Sequence, residues 1–161
     1  MLMSIIRSFS LVLSILLQNG YAPDFPAGIF TEKEARKIEK KSNDIEGRIK
    51  VYREASERML KTLRQAVSRK ESQAVPGILS MWKTLLTESL KDIEINLERK
   101  EKKSKPLIKY EIQIRKALKE VQDFKIRAPV DQQDVFNNTI DLAADVRSKM
   151  VEILFNPGQL E

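Results

Sequence analysis

The chain has 161 residues, with 29 lysines and arginines against 23 acids, a formal net charge of +6, and no cysteine or histidine. Without cysteine there is no disulfide framework, thiolate nucleophile or haem attachment. Without histidine the commonest general base and the commonest transition-metal ligand are both missing. These absences argue against an enzyme, and no cofactor and no metal site is expected.

Residues 1–22 have the three-part layout of a secretory signal peptide. A short stretch carries Arg7, the apolar run Phe9 to Leu17 follows, and Gln18-Asn19-Gly20-Tyr21-Ala22 is a polar exit with small residues at Gly20 and Ala22. The run is shorter than the roughly 20 apolar residues of a membrane span. Cleavage after Ala22 would expose Pro23, an unfavourable start for signal peptidase, so an uncleaved anchor is the alternative. Residues 23–161 then form one domain of ordinary size. Residues 128–161 hold six acids against Arg147 and Lys149, an acidic strip on a basic body.

Residues 23–30, with two prolines and a glycine, predict an extended linker. Thr31-Glu32-Lys33-Glu34 is a capping box that starts a helix, with Phe30 and Ala35 placed for a hydrophobic staple. From Ile38 the stripe Ile38, Ser42, Ile45, Ile49, Tyr52, Ser56, Met59, Leu63 and Ala66 alternates steps of four and three, the spacing of a coiled-coil-like seam. Ser42-Asn43-Asp44 is a place where this first helix breaks, and Asp44 can cap a fresh one.

Ala74-Val75-Pro76-Gly77 is a break. A second helix then shows Ile78, Trp82, Leu85, Leu86, Ser89, Ile93 and Leu97. The third begins at Pro106, shows Leu107, Tyr110, Ile114, Leu118 and Val121, and stops near Ala128-Pro129. The fourth begins at Asp131, shows Val135, Thr139, Leu142, Val146, Met150 and Ile153, and stops at Asn156-Pro157-Gly158. No window alternates as a strand does. The expected fold is all-α: an antiparallel up-and-down four-helix bundle over residues 31–156, its first helix long and open to a break near Asn43, with a tail at 157–161.

Ser80-Met81-Trp82-Lys83 has the S-x-x-K spacing of serine acyl enzymes, but the partner motifs S-D-N and K-T-G are missing and Trp82 reads as core. Glu94 and Glu98 share a helix face and read as solvated carboxylates. Glu32 with Arg36, Glu46 with Lys50, Glu54 with Arg58, Glu57 with Lys61, Glu98 with Lys102 and Glu111 with Arg115 are four-residue pairs that support their helices. The sequon Asn137-Asn138-Thr139 falls inside a helix.

Arg99, Lys100, Lys102, Lys103 and Lys105, five cations in seven positions, are the best candidate for contact with an anionic surface, the alternative being a solvated interhelix loop. No aromatic residue interleaves to stack a base. A membrane surface or an acidic partner is therefore expected before nucleic acid.

From Thr31 to Tyr52, T-E-K-E followed by N-D-I-E-G-R-I-K-V-Y resembles a recurring opening in uncharacterised, predicted-exported helical proteins of soil bacteria. The resemblance implies export and a helical fold. The expectation is a non-enzymatic, exported interaction or scaffold protein of the bacterial periplasm or exterior, with a protein partner in the cell envelope and seams that can also serve a homo-oligomer. The alternative is a basic module that binds anionic polymers or membrane surfaces through residues 99–105.

Overall fold

The structure, a computed structural model, describes residues 25–98 and 103–155, which form five α-helices packed against one another, with no strand among the described residues. These are α1 (Glu32–Lys40), α2 (Ile45–Ser68), α3 (Val75–Asn96), α4 (Lys105–Arg127) and α5 (Gln133–Phe155), with a 3-10 turn at Val130–Gln132. Residues 1–22, where a signal segment was expected, most of the basic run and the expected C-terminal tail lie outside the described residues.

The capping box at Thr31 forms in both directions. The Thr31 hydroxyl accepts from the Glu34 amide, and Glu34 Oε2 accepts from the Thr31 amide at 2.8 Å. The staple does not form, because Ala35 is exposed and Phe30 instead meets Phe25 edge-on at 4.6 Å and Tyr52 at 6.1 Å. Chain reversal at Gly28, whose φ of 91° suits a residue without Cβ, carries Ile29 into the core. Residues 25–30 are thus a packed turn where an extended linker was expected: two prolines forbid a helix but leave the apolar Phe25, Ile29 and Phe30 free to bury.

The first helix breaks at Ser42-Asn43, so five helices stand where four were expected. Asp44 caps α2 by accepting from the Gly47 amide at 2.7 Å. A Cβ on Gly47 would come within 2.4 Å of the Asp44 carboxylate, so the close cap requires glycine there. The break expected at Val75-Pro76-Gly77 is instead the first turn of α3, where proline lacks only an amide that no helix would use.

One apolar core gathers Tyr52, Met59 and Leu63 of α2, Trp82, Leu85 and Leu86 of α3, Tyr110 and Ile114 of α4, and Phe136 and Met150 of α5. Each large side chain fully buried there contributes about 1.5–3 kcal/mol. The seams expected on α2, α3 and α4 are largely those observed. On α5 the buried line is Phe136, Thr139, Ala143, Val146, Met150 and Leu154, one residue later than expected at three places. The small Ala143, not the bulkier Leu142, faces the centre, and the buried line turns with it.

Neighbours do not follow chain order. Helix α2 packs against α3 and α4, α5 packs against α3 and α4, and α1 packs on α2. Contacts joining Arg48 to Asp92 and Ser56 to Trp82 run α2 and α3 in opposite directions, whereas Arg64 to Glu120 and Glu57 to Gln113 run α2 and α4 in the same direction. Consecutive α3 and α4 are therefore not the adjacent pair that a simple up-and-down order implies.

Candidate functional site

Most polar groups inside the molecule are matched to one another; Gln113 Oε1 on α4 is buried without a hydrogen-bond partner. Arg48, on the first turn of α2 and 3% exposed, reaches Asp92 of α3, which is fully buried. Its Nε and Nη2 donate to the two Asp92 oxygens at 2.8 and 2.9 Å, a bidentate fork. Its Nη1 donates to the carbonyl of Lys41 at 2.9 Å and to that of Ser42. Tyr52 Oη donates to Asp92 Oδ2 at 2.6 Å and Asn96 Nδ2 to Oδ1 at 2.7 Å, which fills the usual acceptor sites of the carboxylate. Burial would lower the Arg48 pKa, but the Asp92 charge raises it overall. Burial and the Asp92 charge push the Tyr52 phenol far above its ordinary value. Neither group titrates near neutral pH. The network ties the end of α1 and the α1–α2 turn to α3.

Two further buried hydrogen bonds join helices across the core. Trp82 Nε1 donates to Ser56 Oγ at 2.9 Å, and Ser89 Oγ shares a hydrogen bond with Tyr110 Oη at 3.0 Å, linking α3 to α4. Ser56, set on the first seam, is thus the acceptor that permits an indole in the core. Among the described residues no three carboxylates converge as a metal site, and no helix is long and apolar enough to cross a membrane.

Outside, α1 is strapped to α2. Arg58 donates to both Glu34 oxygens and to the Ile29 carbonyl at 2.8 Å, and Lys37 meets Glu54 at 2.6 Å. Burial works to raise the Glu34 pKa, but Arg58 and the Thr31 amide hold it below its ordinary value. Of the four-residue pairs read from the sequence, Glu32 with Arg36 forms. Glu54, Glu57 and Glu111 instead take Lys37, Arg64 and Arg147 from elsewhere along the chain. Local spacing missed these pairs because each partner comes from another turn or another helix, and only packing brings them together.

Exposed cations predominate on the outside of α4 and exposed acids on that of α5, the exceptions being Asp123 at the far end of the α4 line and Lys149 beside the α5 line. On α4, the line facing away from Tyr110 and Ile114 carries Lys105, Lys109, Ile112 and Lys116, with Lys119 beside it. On α5, the line facing away from Phe136, Ala143 and Met150 carries Asp134, Asp141, Asp145 and Glu152, all exposed and within about 20° of one direction at 100° per residue. Among the described residues none of these eight ionic side chains meets an opposite charge within 4.0 Å.

An open groove of about 570 Å³ runs between α2 and α4, lined by Arg53, Glu54, Glu57, Lys109, Ile112, Gln113 and Lys116. Glu54 is held by Lys37, and Glu57 by Arg64 and Gln113, so Arg53, Lys109 and Lys116 are its uncompensated charges.

Of the five cations named from the sequence, Arg99, Lys100 and Lys102 lie outside the described residues. Lys103 stands 3.6 Å over the ring of Phe155, which is 59% exposed, and Lys105 opens α4 at the head of its basic line. No hydrogen bond joins Ser80 to Lys83, and Trp82 between them points into the core, so the S-x-x-K spacing builds no reactive pair. In the sequon, Thr139 is buried and its hydroxyl donates to the Val135 carbonyl at 2.7 Å.

The class this fold defines is, over the described residues, an all-helical protein with a largely hydrogen-bonded polar interior and with cations and acids concentrated on different helices of its exterior. No protein-family model, curated protein or solved structure matches the chain.

Proposed function

We propose that the chain is a non-enzymatic, exported helical interaction or scaffold protein of the bacterial periplasm or exterior, its four long helices forming one bundle with α1 laid along the outside. The carrying observation is the contrast between interior and exterior. Most buried polar groups hold one another, whereas unpaired cations predominate along the outside of α4 and unpaired acids along that of α5. Charges left unpaired in lines steer association with a complementary surface. The signal-like segment at residues 1–22 and the resemblance at Thr31 to Tyr52 support export.

Fractionation of the producing cells, with intact mass of the recovered chain, tests the location. A chain lacking residues 1–22 in periplasm or medium is expected, and a full-length chain in the membrane would make that segment an anchor. A full-length cytosolic chain would overturn export.

A second reading, a basic module for anionic polymers or membrane surfaces, is favoured by one feature: Lys103 and Lys105 continue into the α4 line. Cosedimentation with anionic vesicles that disappears in high salt and on neutralising residues 99–105 supports it. Salt-insensitive behaviour, unchanged by those substitutions, removes it.

A further inference from the structure

Both charged lines point away from the core their helices share, so the cations of α4 and the acids of α5 cannot meet within one molecule. Their spacings agree. Lys105, Lys109 and Lys116 are separated by four and seven residues, as are Asp141, Asp145 and Glu152 in the same chain direction and Asp145, Asp141 and Asp134 in the reverse. At 1.5 Å per residue these are steps of about 6 and 10.5 Å, so two helices laid side by side in either direction bring three opposite charges together.

The groove beside α4 supplies the rest of a seat. Ile112 gives it an apolar patch, Arg53 adds a cation from α2, and the lining carboxylates Glu54 and Glu57 already have partners. The lining contains no aromatic ring on which a base would stack.

We infer that the groove between α2 and α4 receives the acidic face of α5 from a second copy of this chain. This rests on reading the chain as an interaction module, and it names the partner. Groove and acidic face are different surfaces, so the contact is head to tail; it closes into a ring or extends as a chain of copies. One helix in one groove buries less than about 1,200 Å², the range of weak and transient contacts. Much of the attraction is between exposed charges, so added salt weakens it.

The test is sedimentation velocity on the full chain, purified in the form in which the producing cell holds it. Wild type is expected to gain mass with concentration at about 20 mM salt and to become monomeric near 300 mM, where screening is strong. The double variants Lys109→Glu/Lys116→Glu and Asp141→Lys/Asp145→Lys alter exposed positions, so each keeps the wild-type helical melt, and each alone is monomeric at low salt. Mixed in equal amounts they associate again, because the unaltered groove of one meets the unaltered α5 of the other.

Wild type that stays monomeric at low salt overturns the inference, as does association that survives either reversal. A monomer whose groove binds polyaspartate, with binding lost in Lys109→Glu/Lys116→Glu, also overturns it, but leaves the interaction-module reading standing with a different acidic partner.

Discussion

Arg48 and Arg64 stand on the same helix, and each holds a carboxylate of another helix, yet the two pairs have opposite consequences. Arg48 and Asp92 are 3% and 0% exposed in their side chains, whereas Arg64 and its partner Glu120 are 40% and 28% exposed. In the interior neither charge has water to fall back on, so the pair persists because Tyr52, Asn96 and two carbonyls complete its hydrogen bonds. At the surface, water replaces either partner at little cost. An ion pair read from a list of contacts thus says little until its burial is known.

The largest effect that sharpens this contrast comes from Asp92→Ala, which leaves the Arg48 guanidinium buried without a counter-charge. A loss of about 3–5 kcal/mol is expected in urea melts. The double change Arg48→Met/Asp92→Leu removes the stranded charge and should recover part of it, the rest being the cost of leaving the Tyr52 hydroxyl and the Asn96 amide without their acceptor. A single variant as stable as wild type would break the comparison.

Next in size is the strap on α1. The folded-state pKa of Glu34 lies below its ordinary value of 4.5, so its contribution is present above that pH and is lost as pH falls through the folded value. Acid melts followed by circular dichroism should show stability declining below about pH 4.5, with part of the slope absent in Glu34→Gln.

Arg64→Ala should cost less than about 1 kcal/mol in the same urea melts, the usual range for an exposed pair. A cost as large as that of Asp92→Ala would show that exposure does not decide the matter.

Smallest is Lys70→Gly. Lys70 closes α2 with φ of 57°, in the left-handed region, where the Glu71 amide returns to the Ala66 carbonyl at 2.9 Å. Glycine at that place should raise stability by up to about 1 kcal/mol, read as a higher melting temperature.

Much of the helical fold was legible because apolar spacing and caps are local. Thr31, Asp44 and the seams of α2 through α4 needed only neighbours in sequence to be read. What lay hidden depended on distant partners. Arg48 and Asp92 are separated by 44 positions and look like two ordinary surface charges. The one signal that could have exposed them is phase: Asp92 stands beside Ile93 on the inner side of α3, and Arg48 beside Ile49 on α2. The packing order of the long helices was equally unreadable, because seam spacing says which face is buried and not which helix covers it. The acids of residues 128–161 were legible as a strip, and their alignment along one side of α5 follows from helical spacing once its core face is fixed.

The most direct test of the central claim, that this protein works through its charged faces, is photocrosslinking in the intact producing cells. A photoreactive side chain is placed at Lys116 in the groove, at Asp145 on the acidic face, or at the exposed Thr87 of α3. Discrete adducts are expected from positions 116 and 145 and not from 87. No adduct from either charged face, or equal adducts from all three positions, would contradict the account.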